Sequence, residues 1–147
     1  MRASVSSLSG AALLPSRPRP LTQRLNRRFQ GFALVYSVAS RASFLGLQRS
    51  YDEMMSTEPD PKPWGPPAGE TRPFIVIGNQ GDCGAREVTA EEGRATAAAW
   101  GCPYVETSAK TGHDVVEALA RLHFELLKAR ARWRELRAAE RAEVDQS

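Results

Sequence analysis

The sequence predicts an open α/β fold with about three parallel strands alternating with three helices. Three observations carry this expectation: mostly apolar runs at 32–38 and 74–77, a helix-forming segment after each, and a third strand-and-helix pair from Tyr104 onward. Strands that alternate with helices pair in parallel through right-handed crossovers, and the helices then cover the sheet.

The first run, Phe32-Ala33-Leu34-Val35-Tyr36-Ser37-Val38, has the composition of a strand covered on both faces. Ser40 offers an N-cap hydroxyl, and Phe44, Leu47, Tyr51 and Met54 follow at helical spacing, which predicts a helix over 41–55. Between Ser56 and Pro73 stand six prolines and two glycines, which exclude regular structure and predict an extended surface loop over 56–73. Its Pro59, Pro61 and Pro63 suit a spacer better than a polyproline ligand, and its Trp64 either docks on the body or lies exposed.

Phe74-Ile75-Val76-Ile77 is the second strand, closed by Gly78. Thr89 with Glu92 forms a capping box, Ala95 to Trp100 is strongly helix-forming, and Gly101 with Pro103 ends the helix. Tyr104-Val105 is a short third strand ending at Glu106. A long helix is expected from near Asp114, with Val115, Leu119, Leu122 and Leu126 as its buried stripe. Over 129–147 arginines and glutamates intersperse, and only Trp133 and Leu136 are large and apolar. That pattern predicts a solvated, charged helical extension; a helix that binds a partner or a membrane surface is the alternative.

A length of 147 residues fits one domain, and 41% hydrophobic content supports a modest core. The formal charge of +3 hides a split: residues 1–51 hold eight arginines and no acid, and the rest holds 12 basic and all 17 acidic residues. Residues 1–30, rich in Ser, Arg, Pro and Leu, are expected to form a flexible basic tail, with an organelle-targeting segment as the alternative. One aromatic, Phe29, is too few for a stacking set, so no nucleic-acid partner is expected. No apolar run approaches the roughly 18 residues that span a bilayer, so a soluble, cytoplasmic chain is expected. The last residues, Val144 to Ser147, contain no cysteine for prenylation, and no lipid anchor is expected. Cys83 and Cys102 have neither metal-ligand spacing nor a disulfide framework, so no metal site is expected.

Two segments carry chemistry: Asn79-Gln80-Gly81-Asp82 after the second strand and Glu106-Thr107-Ser108-Ala109-Lys110 after the third. Ligands of open α/β sheets sit beyond the carboxyl ends of the strands, so the two segments are placed to share a site. Asn-x-x-Asp after a strand is also a common turn, because both side chains bond nearby backbone.

The order of six segments bears on this choice. Gly31 to Val38, Ser40 to Phe44, Ile75 to Asp82, Arg86 to Thr89, Trp100 to Pro103 and Glu106 to Gly112 resemble, in the right order, the Ras family of small GTPases. The resemblance covers about residues 31–128, the C-terminal portion of that domain. It implies a partial Ras-like sheet, a guanine nucleotide (GTP or GDP) as ligand, and a place in signal transduction. By resemblance, Asp82 accepts from guanine N1–H and the exocyclic amine, a charge-assisted bidentate pair. Asn79 would reach toward N7 and tie neighbouring loops together, Ser108 would brace Asp82, the Ala109 N–H would donate to O6, and the Lys110 stem would cover one face of the base. Gln80 stands where the family usually has a lysine.

Residues 1–30 contain one glycine, Gly10, and no lysine, so no phosphate loop G-x-x-x-x-G-K-[ST] occurs there; no Asp-x-x-Gly precedes Gly31 either. The resemblance therefore implies a truncated domain or pseudo-GTPase, crippled in phosphate binding and hydrolysis, with no visible Mg²⁺ site and no catalytic residue. A non-catalytic interaction module acting through the long helix or the Pro-rich loop, and an incomplete version of an active GTPase, are the alternatives. The family strand that would flank 32–38 has no counterpart in the sequence, so a bare sheet edge is expected.

Overall fold

The computed structural model describes residues 29–56 and 65–146. Residues 1–28 of the tail expected over 1–30, and Pro59, Pro61, Pro63 and Trp64 of the Pro-rich loop, lie outside the described residues.

Three strands, β1 (Phe32–Ser37), β2 (Phe74–Asn79) and β3 (Tyr104–Glu106), alternate with three helices, α1 (Arg41–Ser56), α2 (Ala90–Ala99) and α3 (Val115–Asp145). The sheet order is β1-β2-β3 and both pairings are parallel. This is the predicted open α/β architecture. Its register matters for the site: Tyr36 lies beside Gly78, and Gly78 beside Glu106.

Local chemistry sets the helix starts. The Ser40 hydroxyl accepts from the Ser43 N–H at 3.3 Å. Thr89 and Glu92 form the full capping box, with the Thr89 side chain accepting from the Glu92 N–H and Glu92 accepting from the Thr89 N–H. Leu34, Tyr36, Phe74 and Val76 pack on one face of the sheet with Leu47 and Met54 of α1 and Ala97 of α2. Ile75, Ile77 and Val105 pack on the other with Ala118 and Leu122 of α3.

Three expectations need correction. The first strand is not covered on both faces: Val35 is 55% exposed and Ala33 is exposed, because α3 packs over β2 and β3 and leaves β1 at the sheet edge. The buried stripe of α3 is rotated from the one expected. Ala118, not Leu119, meets the sheet, since a small residue lets the helix approach closely, and Leu119 points outward.

The charged extension is also not simply solvated. Trp133 is 2% exposed, Arg132 pairs with Glu70 at 2.9 Å, and Arg137 donates to the Gly65 carbonyl. Gly65, Pro66 and Pro67 are themselves buried, so the end of the Pro-rich loop and the helical extension cover each other. A single tryptophan supplies enough apolar area to anchor an otherwise polar helix.

Candidate functional site

Asn79 is the last residue of β2 and Glu106 the last of β3, so the two loops leave one end of the sheet side by side. Backbone bonds stitch them together. The Thr107 N–H donates to the Gly78 carbonyl at 2.8 Å, and the Gly81 N–H donates to the Thr107 carbonyl at 3.0 Å. Asn79 Oδ1 accepts from the Ala109 N–H at 3.0 Å and from the Thr107 hydroxyl at 3.3 Å. Asn79 thus ties the two loops together. The same bond occupies the Ala109 N–H that the resemblance assigns to guanine O6.

Ser108 is buried at the centre of the second loop. Its N–H donates to the His113 carbonyl, its carbonyl accepts from the Gly112 N–H, and its hydroxyl accepts from the Thr111 N–H. The Asp82 carboxyl is held below the usual range, first by the Ser108 hydroxyl and then by the Asp82 backbone and the Lys110 charge. Asp82 is therefore anionic at neutral pH, as an acceptor from two N–H groups must be.

Asp82 opens onto a pocket of about 420 Å³, lined also by Gly81, Glu106, Ser108, Thr111 and His113. Such a volume lies within the range of small-molecule sites. Asn79, Gln80, Ala109 and Lys110 are not in the pocket wall. Lys110 is exposed. Gln80 adopts φ 66°, in the left-handed region, and its side-chain oxygen accepts from the Ser37 hydroxyl at the end of β1. Among the described residues, no cluster of His, Cys, Asp or Glu is arranged to hold a metal ion.

A network the motifs do not announce supports this corner. Arg86 grips Glu106 with two bonds, Nη1 to Oε1 and Nη2 to Oε2, each 2.8 Å. The Tyr104 hydroxyl donates to Glu106 Oε1 at 2.9 Å and lies 2.9 Å from the Tyr36 hydroxyl. Glu106 thereby links the loop after Asp82 to the end of β3. The available signal was the Tyr104-x-Glu106 spacing, which places both side chains on one face of a strand. Arg86 carries no such signal, because its partner is 20 residues away.

The network predicts acid sensitivity. Arg86, and after it the Tyr104 hydroxyl, hold the Glu106 carboxyl below its ordinary 4.5. Arg41 and the capping box push Glu92 down to about 2. With folded-state values below the unfolded ones, the stabilisation is complete above the unfolded range and is lost as pH falls through the folded values. The melting temperature should fall progressively from about pH 5 down to about pH 1. Glu106→Gln should flatten that drop; an identical acid profile would remove Glu106 from the account.

An open parallel sheet with its pocket at the strand carboxyl ends places the site where open α/β domains bind their ligands. The family model described as Ras, Ras family, matches residues 17–128, well over half of the chain. The chain belongs to the Ras family, and small GTPase-like nucleotide binding goes with that membership. The match begins ahead of Gly31, where the resemblance begins, and ends at Lys128, within α3.

Proposed function

We propose that the chain is a small GTPase family member in signal transduction that holds the base of GTP or GDP with Asn79, Gln80, Asp82, Ser108, Ala109 and Lys110. The observation that carries this reading is that Asp82 and Ser108 line one pocket of about 420 Å³ at the carboxyl ends of β2 and β3. One carboxylate accepting from two neighbouring guanine N–H groups discriminates against adenine, whose edge would leave the charge without its partners. Capture of O6 by Ala109 requires its N–H to be shared with Asn79 or released from it.

Phosphate binding and hydrolysis are impaired in a chain of these 147 residues. Base contacts worth about 1–3 kcal/mol cannot replace a phosphate loop and its Mg²⁺, because association itself costs at least about 4 kcal/mol. Titration calorimetry with GDP, GTP and ATP, with and without Mg²⁺, tests both clauses. Guanine nucleotides should bind with Kd weaker than about 1 µM. They should bind about tenfold or more tighter than ATP, and Asp82→Ala should abolish the preference. A submicromolar Kd for GDP would overturn the phosphate clause. Equal binding of GDP and ATP would overturn the base clause.

A further inference from the structure

Between Val116 and Ala142, α3 carries an arc of roughly 140° that holds no acidic side chain. Glu117, Glu125, Glu135 and Glu140 all fall on the remaining circumference. The first half of the arc is apolar and open, with Val116 78%, Leu119 60%, Phe124 59% and Leu127 50% exposed. The second half is basic, with Arg130, Arg134 and Arg141 exposed.

Val116, Ala120, His123, Leu127, Arg130 and Arg134 recur at alternating steps of four and three, the spacing of a helix-packing seam. It is a second seam, since Ala118, Leu122 and Trp133 already form the one turned toward the body. Around the helix the glutamates keep to one side, where Arg121 and Lys128 pair with Glu117 and Glu125, and leave the arc without an acid.

We propose that this arc docks an amphipathic helix of a partner protein, apolar over one half of its length and acidic over the other. Charge complementarity selects that occupant. A second copy laid parallel would stack arginine on arginine, and one laid antiparallel would press arginines onto Leu119 and Leu127 without a counter-charge. A flat anionic membrane would bring Glu117 and Glu135, on the shoulder of the arc, toward the headgroups, and the arc contains no tryptophan. A facing helix touches only the seam and avoids both shoulders.

The test titrates the full chain, by fluorescence anisotropy, with synthetic helical peptides of the seam's length. Each has Leu at the seam positions of one half and Glu at those of the other, in either order along the peptide, beside a scrambled control. One order should bind at least about tenfold more tightly than the scrambled peptide, and more weakly as salt rises. Combined Arg130→Glu, Arg134→Glu and Arg141→Glu should abolish binding without moving the thermal midpoint, and a peptide with Lys in place of Glu should restore it. Leu127→Asp should weaken binding by about tenfold. The proposal is overturned if neither order exceeds the scrambled control, or if charge reversal leaves binding intact. Preferential binding to vesicles containing phosphatidylserine, or self-association of the chain alone at micromolar concentration, would overturn it too.

Discussion

Trp133→Ala is expected to lower the unfolding free energy by about 3–5 kcal/mol, the range for removing a large aromatic from a packed interior. A substitution on a solvated helix would normally change it by less than about 0.5 kcal/mol. The difference rests on burial: Trp133 is 2% exposed, between the Arg132–Glu70 ion pair and the bond from Arg137 to the Gly65 carbonyl. Neither polar contact would hold the helix alone, since an exposed ion pair contributes at most about 1 kcal/mol. The indole is the anchor, and the arginines set the position of the loop on the helix. Urea unfolding of the variant measures the loss directly. Trp133→Phe should retain more than half of it, and a loss below about 1 kcal/mol in Trp133→Ala would mean that the extension contributes nothing to the body. Because the Ras-family match ends at residue 128, this anchor lies wholly outside the matched segment.

Trp133 also marks the limit of what the residues alone disclose. The parallel order of β1, β2 and β3 was legible because apolar runs and capping signals are local: Thr89 with Glu92, Gly101 with Pro103, and Phe44 with Leu47 and Met54 each declare an element within a few residues. The placement of Asn79 and Asp82 beside Ser108 was legible for the same reason, since both segments end strands. What failed was long-range. Whether Leu119 or Ala118 meets the sheet depends on how closely α3 can approach, and whether Val35 is covered depends on which strands α3 crosses. The charged neighbours of Trp133 predict a solvated helix, yet two of them, Arg132 and Arg137, find their partners more than 60 residues earlier in the chain. The site has the same division. That Asp82 and Ser108 line one pocket follows from the two strand ends, but the Arg86 grip on Glu106 and the Tyr36–Tyr104 contact exist only once three strands are in register.

Two glycine-to-alanine changes, both inside helices, are expected to have opposite signs. In an exposed helix interior, alanine is favoured over glycine by about 0.5–1 kcal/mol, because glycine loses more backbone freedom on folding. Gly46 in α1 meets that condition, with no atom within 4 Å of an added Cβ, so Gly46→Ala should stabilise by about that amount. Gly93 in α2 does not. A Cβ there would lie 2.5 Å from the Cε2, Cζ and hydroxyl oxygen of Tyr104. The ring cannot simply retreat, because its hydroxyl is bonded to Glu106 and Tyr36, and Gly78 beneath it leaves the same Tyr104 hydroxyl only 2.8 Å from where another Cβ would stand. Moving the ring would break the bond to Glu106, and overpacking of this kind costs about 1–3 kcal/mol before that bond is counted. Gly93→Ala should therefore lower stability by about 2–4 kcal/mol despite its helix-propensity gain. The clash also predicts a route of relief: in the Tyr104→Ala background Gly93→Ala should become neutral or stabilising, as Gly46→Ala is. A double-mutant cycle by urea unfolding reads that sign change, and a Gly93→Ala penalty that persists without the Tyr104 ring would show that the close approach of α2 to β3 rests on something other than this contact.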